Sequence, residues 1–278
     1  MKNEKQKRKT GDGVGEICRR LFRRATTRYR DPLWWLSRVC GEEAHVVQIG
    51  SSDGGQEDPV SLLLVRHPGW QAVLVEPVPY LFERLRKRYE GRPGCRLLNL
   101  AVNDGSEAEF FWVAPQARQA RPDFPEWVEQ LGSFSRSHIL SHLDGSLEPY
   151  IESVRVRGVR LMELFKQCGL RRIDLLHTDC EGFDWNVVSQ LDFEAVLPSA
   201  ILLEHKHLTG GDREAACAFL RPHYRLFDLG SDLLGIEEQS WNKVFSRSQL
   251  CEPLFWIRLL PLPLRTKFLA HCGPGRPL

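Results

Sequence analysis

Residues 46–55 read Val46-Val47-Gln48-Ile49-Gly50-Ser51-Ser52-Asp53-Gly54-Gly55, and they restrict the fold of this chain more than any other stretch. Val46, Val47 and Ile49 suit a parallel strand covered on both faces, where β-branched side chains pack well on the pleat. Gly50, Gly54 and Gly55 then allow a sharp turn and let the backbone approach a ligand without a Cβ in the way. A strand, a glycine turn and a following helix mark the carboxyl end of the first strand of an open α/β sheet, where nucleotide-like cofactors dock. A second apolar strand, Ala72 to Val75, ends at Glu76, at the about twenty-residue spacing expected of a ribose-binding acid. The plain alternative is a tight turn with no ligand, since glycine is common loop punctuation.

The alternation of strand and helix continues. Residues 59–65 and 79–89 read as crossover helices, the second with Leu81, Phe82, Leu85 and Tyr89 at helical spacing. Residues 95–102 form a third strand closed by the turn Asn103-Asp104-Gly105, and residues 107–113 an extra one. After Val154-Arg155-Val156 come a helix at 161–168, a fourth strand at 172–179, a fifth at 200–207 and a helix at 213–220. Residues 224–229 and 243–246 then suggest two late strands forming an antiparallel edge. The expected architecture is α/β: a Rossmann-like, doubly wound, mostly parallel sheet. It carries a helical amino-terminal extension, beginning at Asp31 and covering the cofactor side, and an insertion after the third strand. That insertion spans about residues 114–150, where Pro115, Pro122, Pro125 and Pro149 break the periodicity, and it reads as a lid or binding loop.

With 278 residues, 42% hydrophobic and 27% charged, the chain can bury one large core, assigned to residues 31–250. A basic, partly disordered arm (1–30) precedes it, and an apolar, proline-rich tail (251–278) follows. The arm suits a solvated tail leading into a capping helix, with contact to an anionic membrane surface or to nucleic acid as the other reading. A net charge of +2 gives no general attraction to nucleic acid. The eight cysteines include no Cys-x-x-Cys pair, which disfavours a zinc ribbon or disulfide scaffold and suits reduced thiols in a cytoplasmic protein. No apolar run reaches the roughly 20 residues of a membrane helix, and the amino terminus has no signal-peptide core.

Four blocks give the chain a resemblance to the FkbM family of S-adenosylmethionine-dependent methyltransferases. They are residues 46–55, Val75-Glu76-Pro77, residues 98–102, and the most specific, Ile173-Asp174-Leu175-Leu176-His177-Thr178-Asp179-Cys180-Glu181-Gly182-Phe183-Asp184. Gln48 and Ser51-Ser52 depart from the acid and the Ala-Asn more usual in that family. The resemblance covers roughly residues 45–207 and implies S-adenosylmethionine as cofactor and a hydroxyl on a sugar, glycan or small metabolite as acceptor. It implies that Gly50, Ser51, Asp53 and Gly54 hold the amino-acid end of the cofactor, with Asp179 also in contact. Glu76, beside Pro77, would take the ribose hydroxyls, and Ala101, Val102 and Asn103 the adenine.

A neutral alcohol must lose its proton as the new bond forms, so a general base is needed within hydrogen-bond reach; Asp179, Glu181 and His205 are the catalytic candidates. His177, Asp179, Glu181, His205 and His207 could instead ligate a divalent ion, but their spacing is not a zinc signature and no metal is expected. His138 and His142, four apart, would share one side of a helix if that stretch is helical, more often without a ligand than with one. Two other readings compete: a non-catalytic scaffold binding a partner through its arm and tail, and a nucleic-acid methyltransferase. The latter is disfavoured because no Asn/Asp-Pro-Pro-aromatic motif follows the fourth strand. The acceptor and the oligomeric state are not legible in the sequence.

Overall fold

The computed structural model describes residues 31–55 and 58–244. The basic arm and the apolar tail lie outside the described residues, so the boundaries expected for them are untouched by the structure. A first helix, α1 (Pro32–Val39), starts where Asp31 accepts from Leu33 N and Pro32 supplies a preset φ. Strand β1 (His45–Ile49) leads through the glycine turn to α2 (Pro59–Arg66), capped by Asp58. Then follow β2 (Gln71–Val75), α3 (Pro79–Arg88) and β3 (Cys95–Leu98).

The expected third strand is broken after Leu98. Its last residues form β4 (Ala101–Val102), which leaves the main sheet. Next come β5 (Ala108–Val113), α4 (Gln116–Ala120), β6 (Gly132–Ser133), α5 (Arg136–Leu140), β7 (Ile151–Val156) and β8 (Gly158–Val159). The chain then returns through α6 (Leu161–Cys168), β9 (Leu175–Thr178), α7 (Asp184–Val188), β10 (Ala200–Glu204), α8 (Gly210–Leu220), β11 (Tyr224–Asp228), β12 (Asp232–Glu237) and α9 (Glu238–Val244).

The main sheet runs β11-β12-β10-β9-β1-β2-β3. All its pairings are parallel except those of β12, which is antiparallel to both neighbours. The second late strand is therefore residues 232–237 and not 243–246. Lys243 and Val244 close α9, and Phe245 and Ser246 lie outside the described residues. Gly235 hides this strand from a reading based on propensity. The same glycine lets Tyr224 on the neighbouring strand pack close, since a Cβ there would sit 3.3 Å from the Tyr224 side chain.

Helices cover both faces of the sheet. On one, Leu161, Leu164 and Phe165 of α6 pack with Val187, Val188, Ala216 and Leu220; on the other, Trp35, Leu36, Val60, Leu63 and Leu85 do so. Helix α1 was expected over the cofactor side, but Trp35 stacks on Phe227 and Trp241, with ring centroids 5.0 and 6.0 Å away, and so holds α1 on a face of the sheet. The insertion builds its own small antiparallel sheet, β6-β5-β7, and a separate core of Val113, Ala117, Phe124, Val128, Leu131, Ile139 and Leu147. A layer of Val78, Leu81, Ala101, Phe110, Trp112 and Val156 joins it to the main domain. Among the described residues no helix is long and apolar enough to cross a membrane.

Candidate active site

The turn after β1 owes its shape to Gly50. Its φ is +82°, and a Cβ there would lie 1.8 Å from the Asp179 carbonyl oxygen, so no side chain fits. Both Gly50 N and Ser51 N donate to Val75 O, at 3.0 Å each, and Asp179 N donates to Ile49 O. The ends of β1, β2 and β9 are thereby drawn together at one edge. Gln48, at the position where an acid is more usual, is buried and donates to Asp58, the cap of α2.

Glu76, at the end of β2, is buried and accepts from Ser52 N at 2.7 Å and Val78 N at 2.8 Å, one to each carboxylate oxygen. Burial pushes its pKa up to about 7 against those two hydrogen bonds. The left-handed Ser52, φ +49°, is what aims its amide at this carboxylate. Ser52 Oγ and Asp53 Oδ1 are buried without a hydrogen-bond partner.

Beyond them opens a cleft of about 700 Å³, mouth included, walled by Gly50, Ser52, Glu76, Pro77, Ala101, Val102, Asp179 and Glu181. The sequence-derived candidates Ser51, Asp53, Gly54 and Asn103 stand behind this wall. The Asn103 side chain folds its own turn, donating to Ser106 O and accepting from Gly105 N. Leu100 and Phe183, from the quoted blocks, and Val78, Phe110, Gln130, Gly132 and Phe134, which no motif marks, also line the cleft. Three of these come from the insertion.

The block from Asp179 to Asp184 divides its three acids among three tasks. Asp184 is fully buried and accepts from Cys180 N at 3.1 and 3.2 Å, which closes the loop; burial raises its pKa to about 7. Asp179 points into the cleft. Protein surrounds it, and burial and the neighbouring Glu204, Asp184 and Glu181 carboxylates push its pKa well up, although its exposure to the cleft tempers the effect. Glu181, left-handed at φ +50° and followed by Gly182 at +90°, turns outward from the loop.

Glu181 meets three imidazoles. His138 Nε2 lies 3.6 Å from Glu181 Oε2 and His207 Nε2 3.5 Å, while His142 Nε2 is 3.5 Å from His138 Nε2. Burial raises Glu181 while these imidazoles outweigh it, so its pKa is lowered. Burial, with Glu181 next, raises Glu204 to about 8. His205 is not part of this group. It is buried behind β10, with Nε2 3.5 Å from Asp228, and does not line the cleft. His177 is buried within the sheet.

A family model described as the methyltransferase FkbM domain matches residues 44–230, most of the chain. The chain belongs to this family. The FkbM domain thus spans the main sheet to β11 and includes the whole insertion. Among solved structures, human methyltransferase-like protein 13 in complex with S-adenosylhomocysteine aligns at 8% identity and a TM-score of 0.43, covering 81% of this chain and 88% of its own. The M. capricolum TrmK, also with S-adenosylhomocysteine, aligns at 10% identity and 0.37, covering 88% of each chain. A precorrin-6y C5,15-methyltransferase from Geobacter metallireducens GS-15 gives 12% and 0.36, with 73% and 85% covered. No protein of curated function matches the sequence.

Proposed function

We propose that this FkbM domain is an S-adenosylmethionine-dependent methyltransferase acting on a hydroxyl of a sugar, glycan or small metabolite. The observation that carries the reading is the shared wall formed by Gly50, Glu76, Ala101, Val102 and Asp179 in one cleft at the carboxyl ends of the strands. The cofactor supplies an electrophilic methyl on a sulfonium. The orphaned Ser52 Oγ, on the cleft wall, suits the polar amino-acid end of such a group. Each Glu76 oxygen keeps a lone pair beyond its backbone hydrogen bond, enough for two ribose hydroxyls. Val78, Leu100, Phe110 and Phe134 give an apolar slot for a base. Asp179 is the acid placed to take the acceptor proton: it lines the cleft, and a carboxylate with a raised pKa is a stronger base.

Trp127 supports a sugar as acceptor. It is one of the few exposed large hydrophobics among the described residues, 42% exposed, and its ring lies 5.5 Å from that of His142. An indole face open to water beside the site is a surface on which a sugar ring stacks. The test is calorimetric titration with S-adenosylmethionine and S-adenosylhomocysteine, on the wild type and Glu76→Ala, followed by a screen of hydroxylated acceptors. Binding that Glu76→Ala weakens at least tenfold supports the pose; no binding by the wild type removes it.

A further inference from the structure

His138, His142, Glu181 and His207 each offer one ligand atom, and all four atoms lie within 4.8 Å of one another. Three separate elements deliver them. His138 is on α5 and His142 one turn later, so their four-residue spacing places both on the same side. Glu181 comes from the loop after β9, and His207 from the loop after β10.

An ordinary salt bridge does not account for the arrangement. The two distances to Glu181 Oε2, 3.6 and 3.5 Å, exceed the about 2.7–2.9 Å of a charge-assisted hydrogen bond. That oxygen is buried with no hydrogen-bond partner. His138 and His142 turn their Nε2 atoms toward each other at 3.5 Å, which leaves at most one of these nitrogens an N–H donor and the other a free lone pair of the kind that binds a cation. The spacing does match ligands around a common cation. With metal–nitrogen and metal–oxygen bonds of about 2.0–2.2 Å, the edge of a tetrahedron is about 3.4 Å, and three edges here measure 3.5, 3.6 and 3.5 Å. Glu204 Oε1, 3.7 Å from His207 Nε2, adds a second carboxylate beside the centre.

We propose that His138, His142, His207 and Glu181 form a divalent transition-metal site of the zinc class at the acceptor side of the cleft. Imidazole nitrogens with one carboxylate select such a cation over magnesium or calcium, which take oxygen ligands. Glu181 belongs both to this set and to the cleft wall, so the cation lies next to the bound methyl donor. Its role in transfer rests on the methyltransferase reading. A hydroxyl bound to the cation is more acidic. Its proton passes to the Asp179 carboxylate, the O–C bond forms as the sulfonium S–C bond breaks, and S-adenosylhomocysteine leaves neutral at sulfur. The sequence reading expected no metal, because these ligands come from three distant segments and match no linear signature.

The experiment is equilibrium dialysis of the full-length, chelator-stripped protein against Zn²⁺ or Mg²⁺, with metal content measured by mass spectrometry. It is repeated on His142→Ala, on the pair His138→Ala with His207→Ala, and on Cys251→Ser with Cys272→Ser as a control for thiol binding. One equivalent of Zn²⁺ is expected, weakened at least tenfold by the histidine variants and untouched by the cysteine variants, with no comparable uptake of Mg²⁺. Substoichiometric Zn²⁺, or binding insensitive to all three histidines, overturns the site. S-adenosylhomocysteine titration on the same samples confirms that the variants are folded. It also separates failure of the metal site from failure of the methyl-donor reading.

Discussion

Replacing Gly50 by alanine tests how the cleft is built. The new Cβ would lie 1.8 Å from the Asp179 oxygen and 2.8 Å from its carbonyl carbon, whereas ordinary contact begins at 3.4 Å. Both obstacles are backbone, so the end of β9 must retreat. That opens the Asp179 N to Ile49 O hydrogen bond, 2.9 Å long, whose net worth is about 1 kcal/mol. Holding alanine at φ +82° costs about 1–2 kcal/mol more. The sum is about 2–3 kcal/mol, a fall in Tm of about 4–12 °C for a chain of this size. Gly41→Ala is the control, because its φ of +72° carries the same strain while nothing lies within 4 Å of the added Cβ. Urea unfolding of the two variants separates the contact from the dihedral, and titration with S-adenosylhomocysteine reports the cleft. Gly50→Ala no less stable than Gly41→Ala, with cofactor affinity intact, would refute the argument.

Asp179→Asn keeps the shape of the side chain but cannot take a proton, so turnover of an identified acceptor should drop by about 10²-fold or more while S-adenosylhomocysteine affinity changes little. Asp184→Ala leaves Cys180 N without its buried acceptor and should cost about 2–3 kcal/mol in chemical denaturation. Glu76 gives a pH signature. Its folded pKa of about 7 lies above the ordinary 4.5, so its contribution to stability is present below 4.5 and lost as pH rises through 7. The stability difference between wild type and Glu76→Gln should therefore shrink between pH 5 and about 7.5, while wild-type cofactor affinity tightens as the carboxylate ionises. A flat difference across that range would show that Glu76 is not the titrating group.

Strands β1, β2 and β9 and their parallel direction were legible because buried strands read as apolar runs and the connections as helical periods. Gly50 and Glu76 were legible for a similar reason, since local backbone demands restrict residue type at a strand-to-helix turn. The division of labour between Asp179, Glu181 and Asp184 was not. It depends on two successive left-handed residues, Glu181 and Gly182, which send neighbouring carboxylates in different directions. His205 looked equivalent to His207 by sequence, yet the chain turns between them just past the end of β10: one is buried beside Asp228, the other meets Glu181.

Local pattern, then, determined the fold class, the glycine turn after β1 and the acid at the end of β2, because these are set by periodicity and by dihedrals within a few residues of one another. Tertiary packing alone decided which side chains share the cleft. Gln130, Gly132 and Phe134 reach it from an insertion whose own core orients it, and His138, His142 and His207 converge on Glu181 across intervals of 26 residues or more. Convergence over such separations is a property of how the layers dock, and no periodicity in the chain encodes it.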